Sequence, residues 1–164
     1  MRTQIYSINP DFTCKHCDQI VSAQTIISGV VHRNHCPYCL HSRHVDLYEA
    51  GDRLCACKCL MVPVGLTIKR SRDKYTRHRS GELMIVHRCQ GCGELAINRI
   101  AADDDPDKLI SILKEQREQK VLEIHCRQQG INLLNREDLS LVNQRLFGQK
   151  NLTKETPQYH SCPS

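Results

Sequence analysis

The chain contains no tryptophan, two phenylalanines and five tyrosines in 164 residues. Aromatic side chains bury the largest area per residue and usually anchor a core, so this chain must close its fold by other means. No apolar run approaches the roughly 18 residues of a bilayer-spanning helix. Residues 1–10 lack the apolar h-region of a secretory signal. The expectation is a cytoplasmic protein with no membrane partner.

What the chain does have is 11 Cys and 9 His. Cytosolic thiols stay reduced, so Cys in pairs reads as metal ligation rather than as disulfides. The odd count also disfavours a fully paired disulfide framework.

The net charge of +5 is unevenly spread. Residues 1–100 carry 14 basic and 8 acidic side chains, and residues 101–164 carry 9 basic and 10 acidic ones. The positive excess therefore lies in the Cys-rich part. Lys69, Arg70, Arg72, Lys74, Arg77 and Arg79 form a basic run with Tyr75 inside it, a pattern that suits phosphate contact.

The pattern divides the chain into a small zinc-stabilised α+β domain over 1–102, a helical extension over 103–149 and a polar, flexible tail over 150–164. In the first part, Val62, Val64, Leu66 and Ile68 alternate with other residues, which predicts a half-buried strand. Pro63 favours an edge position for it. Leu83 to His87 is a second apolar run, and the two runs predict an antiparallel hairpin with Arg70–Arg79 as its exposed tip. The acidic turn Asp103-Asp104-Asp105 before Pro106 predicts a helix start, with the carboxylates at the positive end of the helix dipole. Leu109 to Ile124 reads as helix around a polar stretch, Lys114 to Lys120, and stops at Gly130. A further helix is predicted over 136–147 with Asn135 as N-cap and Leu139, Val142, Leu146 and Phe147 as its apolar residues.

Three Cys-x-x-Cys pairs carry the chemistry: Cys14/Cys17, Cys36/Cys39 and Cys89/Cys92. Two residues between thiolates allow a tight turn to aim both sulfurs at one ion, with its amides stabilising the sulfur charge. Gly93 suits a positive φ after Cys92. Two tetrahedral sites need eight ligands. The seventh must be Cys55, Cys57 or Cys59, and the eighth could be a thiolate or a His. His44 is the best placed, with His35 and His87 as rivals. Two pairings are coherent. Either Cys14/Cys17 join Cys36/Cys39, or Cys36/Cys39 join His44 and a Cys of 55–59 while Cys14/Cys17 join Cys89/Cys92.

Catalytic zinc needs an open position and a nearby general base. The His-x-Glu with Pro-Cys-x-x-Cys of zinc deaminases is absent, as is the His-Glu-x-x-His of metalloproteases. Full Cys-rich ligand sets point to two structural Zn2+ ions instead.

Arg33-Asn34-His35-Cys36-Pro37 resembles the signature of RNHCP-domain proteins, small bacterial proteins with zinc-ribbon-like Cys pairs. Phe12-Thr13-Cys14-Lys15-His16-Cys17, Leu40 to Asp46, Gly51-Asp52-Arg53, His87 to Gly93, and Asn98 to Ala101 with Asp103-Asp104 resemble the family's other blocks in the same order. The resemblance covers about residues 11–110. It implies a zinc-ribbon-like β core, Cys57 as the seventh ligand and His44 as the eighth, leaving Cys55, Cys59, Cys126 and Cys162 over. Asp18 stands where the family tends to have Gly.

The leading functional expectation is a monomeric, non-enzymatic zinc protein that binds structured RNA, especially rRNA, on the ribosome or another ribonucleoprotein. Arg33, Arg43, Arg53, Arg88 and Arg99 near the metal blocks would join the basic tip as phosphate contacts, and the C-terminal helices would touch ribosomal proteins. The alternatives are a transcription-associated zinc ribbon binding DNA or polymerase, a metal-dependent hydrolase, and a thiol redox sensor built on Cys55, Cys57 and Cys59.

Overall fold

The computed structural model describes residues 10–69, 81–115 and 120–148. Within them two antiparallel sheets form. Strands β1 (Phe12–Thr13) and β2 (Ile20–Val21) make a small ribbon, followed by one helical turn, α1 (Thr25–Ser28). The main sheet has the order β3 (Ser42–Arg43), β4 (Leu60–Lys69), β5 (Glu82–Cys89) and β6 (Leu95–Arg99). The predicted hairpin is β4–β5. Its expected tip, with Arg70, Arg72, Lys74, Tyr75, Arg77 and Arg79, lies outside the described residues, as does the tail over 150–164.

The even alternation expected along β4 is broken. The register with β5 shifts between Pro63 and Gly65, and this bulge sends Val64 and Leu66 to different clusters. A bulge adds one residue to a period of two, so side chains on either side of it change faces. Pro63 does occupy an edge. The short β3 pairs only with Met61 and Leu60, and Leu133 bridges to Thr67 further along. Pro63 falls in the gap between them, where a missing N–H costs nothing.

The hairpin is covered on both faces, which explains the unbroken burial of Leu83 to His87 on β5. On one face Leu66, Leu83 and Ile85 pack with Leu109 and Leu113 of α2 (Pro106–Glu115) and Val142 of α4 (Leu139–Phe147). On the other, Val86 and Leu95 pack with Leu122 and Cys126 of α3 (Lys120–Gln128). Each helix offers an i, i+4 pair or a single residue, and each fully buried Leu contributes about 1.5–3 kcal/mol. The helices thus cover the sheet from both sides, α2 and α4 on one face and α3 on the other. Val121 and Ile124 of α3 are 82% and 56% exposed, and Cys126 fills the core beside Leu122. Phe147 also points outward.

The helix signals act locally as expected. Pro106 is the first residue of α2, and the Asp105 carboxylate accepts from the Asp107 and Lys108 amides. Asn135 and Asp138 form a capping box at the 3-10 turn Arg136–Asp138 that leads into α4. No helix among the described residues is long and apolar enough to cross a membrane.

Candidate metal centre

Three turns in the chain have one hydrogen-bond design. In each, the residue after the second Cys donates to the carbonyl of the first: Asp18 to Cys14 at 3.1 Å, Leu40 to Cys36 at 2.8 Å, Gly93 to Cys89 at 3.1 Å. The first Cys amide in turn donates to the next residue along, Gln19, His41 or Glu94, at 2.9 Å each. Closing this ring requires a left-handed residue after the second Cys. Asp18 has φ 58, Leu40 φ 60 and Gly93 φ 79. Only Gly adopts that region freely, while Asp tolerates it and Leu is strained there. Lys58, directly after Cys57, has φ 52. Its amide donates to the His44 carbonyl and the His44 amide to the Cys59 carbonyl. This fourth, two-segment turn sets His44 beside Cys57.

These turns bring the eight predicted ligand residues together as two tetrads, Cys14, Cys17, Cys36 and Cys39, and His44, Cys57, Cys89 and Cys92. The first of the two coherent pairings is the one formed. Sulfurs lie 3.6 Å apart for Cys14–Cys39, Cys17–Cys36 and Cys57–Cys89, and Cys92 Sγ lies 3.2 Å from His44 Nδ1. Donors about 2.3 Å from a common centre in a tetrahedron stand about 3.8 Å apart, so both tetrads fit a metal ion.

The thiol electrostatics agree. Burial pushes the Cys14 thiol up, but the amides of His16 and Cys17 outweigh it and bring it below its ordinary value. Burial raises Cys36 to about 11, and raises Cys39 further. In the second tetrad the Cys59 amide brings Cys57 down to about 7. Despite the Glu94 amide, burial and the neighbouring Cys89 and Cys57 push Cys92 up to about 11. Sulfurs this close cannot all ionise against one another, and a divalent cation removes that conflict.

Three other Cys have different places. Cys126 is core, and Cys55 is buried with its amide on the Val45 carbonyl. Cys59 packs against Gly91 inside the third turn, where an added Cβ would sit 2.5 Å from its sulfur. A third grouping, His16, Cys39 and His41, shares Cys39 with the first tetrad. Its imidazoles stack at 3.5 Å with planes 8° apart. Lone pairs lie in the ring plane, so parallel rings do not converge on one ion.

The rival eighth ligands are engaged elsewhere. His35 Nε2 donates to both oxygens of Asp104, at 2.9 and 2.8 Å. His87 Nε2 donates to the Leu40 carbonyl at 2.7 Å, and its Nδ1 accepts from Asn98 at 2.9 Å. Burial, aided by nearby His35, lowers His87 to about 3, which matches this neutral tautomer.

Arg33 requires a correction. Its side chain is 0% exposed and pairs with Asp103 at 2.8 Å and Asp104 at 3.4 Å, so it cannot reach an RNA. It also donates to the Ser22 and His35 carbonyls. Asp104 accepts from the Ala101 amide as well. Asp103 and Asp104, expected at the helix dipole, instead tie the first tetrad's segment to the turn before α2. Asn34 donates to Asp46, at 2.6 Å, and accepts from Arg53. Gly51, at φ 94, passes so close to the His32 ring that a Cβ would lie 2.4 Å away. Asp52 collects the amides of Leu47, Tyr48, Glu49 and Leu54, and those of Leu54 and Tyr48 above all hold it well below the carboxylate range. The non-Cys signature residues therefore build the frame around the tetrads. Of the other expected contacts, Lys69, Arg88 and Arg99 are exposed and Arg43 and Arg53 are half-buried. Arg99 pairs with Glu82 at 3.0 Å.

A family model described as the RNHCP domain matches residues 9–110. The chain belongs to the RNHCP family. The match includes both tetrads and ends within α2, so α3 and α4 lie beyond it. Searches of the curated proteins and of the solved structures gave no match.

Proposed function

We propose that this RNHCP protein is a non-enzymatic zinc protein that binds structured RNA, with rRNA in a ribonucleoprotein as the leading target. Zinc is the metal that best suits all-thiolate and Cys3His tetrahedra. Four protein donors at each centre leave no position for a metal-bound water, which supports a structural role.

The observation that carries the RNA reading is the distribution of unpaired cations on this metal-held frame. Among the described residues of 10–102, Lys15, Arg43, Lys58, Lys69 and Arg88 form no ion pair. Phosphate contacts need such cations at fixed positions, and they supply affinity rather than sequence choice. The exposed Val121 and Ile124 on α3 suit a protein neighbour on the same particle.

The reading is tested by filter binding to tRNA and rRNA fragments across a salt series, with sucrose-gradient sedimentation of lysate. Lys58→Glu with Arg88→Glu should leave two zinc ions per chain. RNA affinity should fall, and the salt slope should drop by roughly one per lost phosphate contact. Unchanged affinity and slope would overturn it, and tighter binding to duplex DNA than to RNA at equal salt would move the protein to transcription.

A further inference from the structure

A cavity of about 380 Å³ is lined by residues from segments that carry ligands of both tetrads, within the ~300–1,000 Å³ of small-ligand sites. Its apolar wall is Pro10, Phe12 and Val45, and its polar wall carries Arg43 and Arg53. Each wall runs directly into a metal ligand. Phe12 and Thr13 precede Cys14, Asn34 leads to Cys36, Arg43 precedes His44, and Arg53 lies four residues before Cys57.

Its charge is one-sided. Arg43 donates through Nε and Nη2 to the Lys58 carbonyl at 3.3 Å, and Lys58 Nζ donates to the Arg53 carbonyl at 2.8 Å. Arg43 and Arg53 thus line the cavity, and Lys58 ties their two segments together. The nearest carboxylate, Asp46, is 3.8 Å from Arg53 and already accepts from the amides of Gly51 and Arg53 and from Asn34. Arg53 itself is held at φ 56, a conformation that persists where surrounding contacts fix it. A ring wall beside a cationic rim suits a flat aromatic group joined to an anion.

We propose that this cavity binds one nucleotide, its base against Phe12 and its phosphate at Arg43 and Arg53. It rests on the RNA reading above and narrows it. The rest of the surface takes phosphates of a structured RNA, and this cavity takes a single base turned out of the helix, as at a bulge. Unpaired bases are the part of a folded RNA that offers a free ring face.

The test uses the full-length, zinc-loaded chain. Amide NMR is recorded with nucleoside monophosphates, with the matching nucleosides and with inorganic phosphate. Binding is also measured to a hairpin RNA with one bulged nucleotide and to the same hairpin without it. Monophosphates should shift Thr13, Arg43, Val45 and Arg53 more than nucleoside or phosphate alone. The bulged hairpin should bind at least about fivefold tighter than its control. Arg43→Ala and Phe12→Leu, at unchanged zinc content, should each remove that preference, and Arg43→Lys should restore part of it. If RNA binds but the bulge gives no preference and no shifts appear at these residues, the cavity proposal is wrong and the RNA reading stands. If monophosphates shift these residues but neither hairpin binds, the RNA reading is wrong and the cavity is a site for free nucleotide.

Discussion

The two tetrads share a turn but not a setting. The first is made of two complete turns, one on the small β1–β2 ribbon and one between α1 and β3. Its surroundings are thin: Val21 with the ligands themselves, and Phe12 packed against them. Its ties to the rest include Leu40 in the main core, the buried Arg33 and His35 on Asp103 and Asp104, and the Asp105 amide on the Pro37 carbonyl. The second hangs on the end of β5, where Cys89 pairs with Met61 in a sheet that has clusters on both faces. Yet Cys36 of the first is fully buried, whereas Cys92 of the second is exposed. A metal in the first tetrad would therefore hold a small, thinly packed region, and one in the second would sit at the edge of a region that folds around its own core.

The sharpest way to break this contrast is to remove one ligand from each centre. Structural zinc in small domains contributes on the order of 10 kcal/mol to folding. Cys36→Ser should lose one metal and release the amides of residues 10–40 to fast hydrogen exchange. Cys92→Ser should also lose one metal while β4 and β5 stay protected. A chelator titrated into the unmodified protein should strip the exposed centre first, in two phases. Native mass spectrometry counts the ions and exchange mapping locates the loss. Equal collapse of the sheet in Cys92→Ser would show that the core does not support itself.

A smaller effect sharpens the link between the two regions. Asp104→Ala removes one carboxylate from the buried Arg33 and the partner of His35. Breaking a buried pair by deleting one member costs about 3–5 kcal/mol, because the remaining charge stays desolvated. Asp103, 30% exposed, still neutralises part of Arg33, so the loss should fall at the low end, with both metals retained. The measurement is denaturant unfolding of metal-loaded protein. A loss under about 0.5 kcal/mol, the range of ordinary surface substitutions, would mean that the link carries no weight.

How much of this was legible in sequence follows from the range of each interaction. Cys pairs, Pro106, Asn135 and Gly130 act over a few residues, and each marks its element correctly. The hairpin was legible because two apolar runs flank a polar one. The bulge at Val64 was not, since nothing in Pro63-Val64-Gly65 states which residue is left unpaired. The division of the Cys pairs between two centres depends on where β5 ends relative to the 55–59 loop, and family resemblance rather than spacing pointed to Cys57. Arg33 misled because an arginine beside a metal turn reads as surface charge. Its partners lie 70 and 71 residues away, in an acidic turn that had a sufficient local explanation as a helix start. Cys126 was overlooked because a lone thiol in a helix carries no pattern beyond its spacing of four from Leu122.

The smallest expected effect compares the left-handed residues that close the first tetrad's two turns. An L-residue in that region costs roughly 1–2 kcal/mol, less for Asp, and Gly relieves it at an unfolded-chain entropy cost of about 0.5–1 kcal/mol. Asp18 is exposed, so Asp18→Gly should change stability by no more than about 1 kcal/mol, in the stabilising direction. Leu40 sits at an equally left-handed φ but is 1% exposed in the main core. Deleting a buried Leu side chain costs about 2–5 kcal/mol, which exceeds any relief, so Leu40→Gly should destabilise by about 2–4 kcal/mol. The two positions have the same backbone and opposite signs because one turn faces water and the other is the peg that fixes the first metal region to the sheet. Denaturant midpoints of the two variants with zinc saturated decide it. A stabilising Leu40→Gly would mean that backbone strain outweighs packing there.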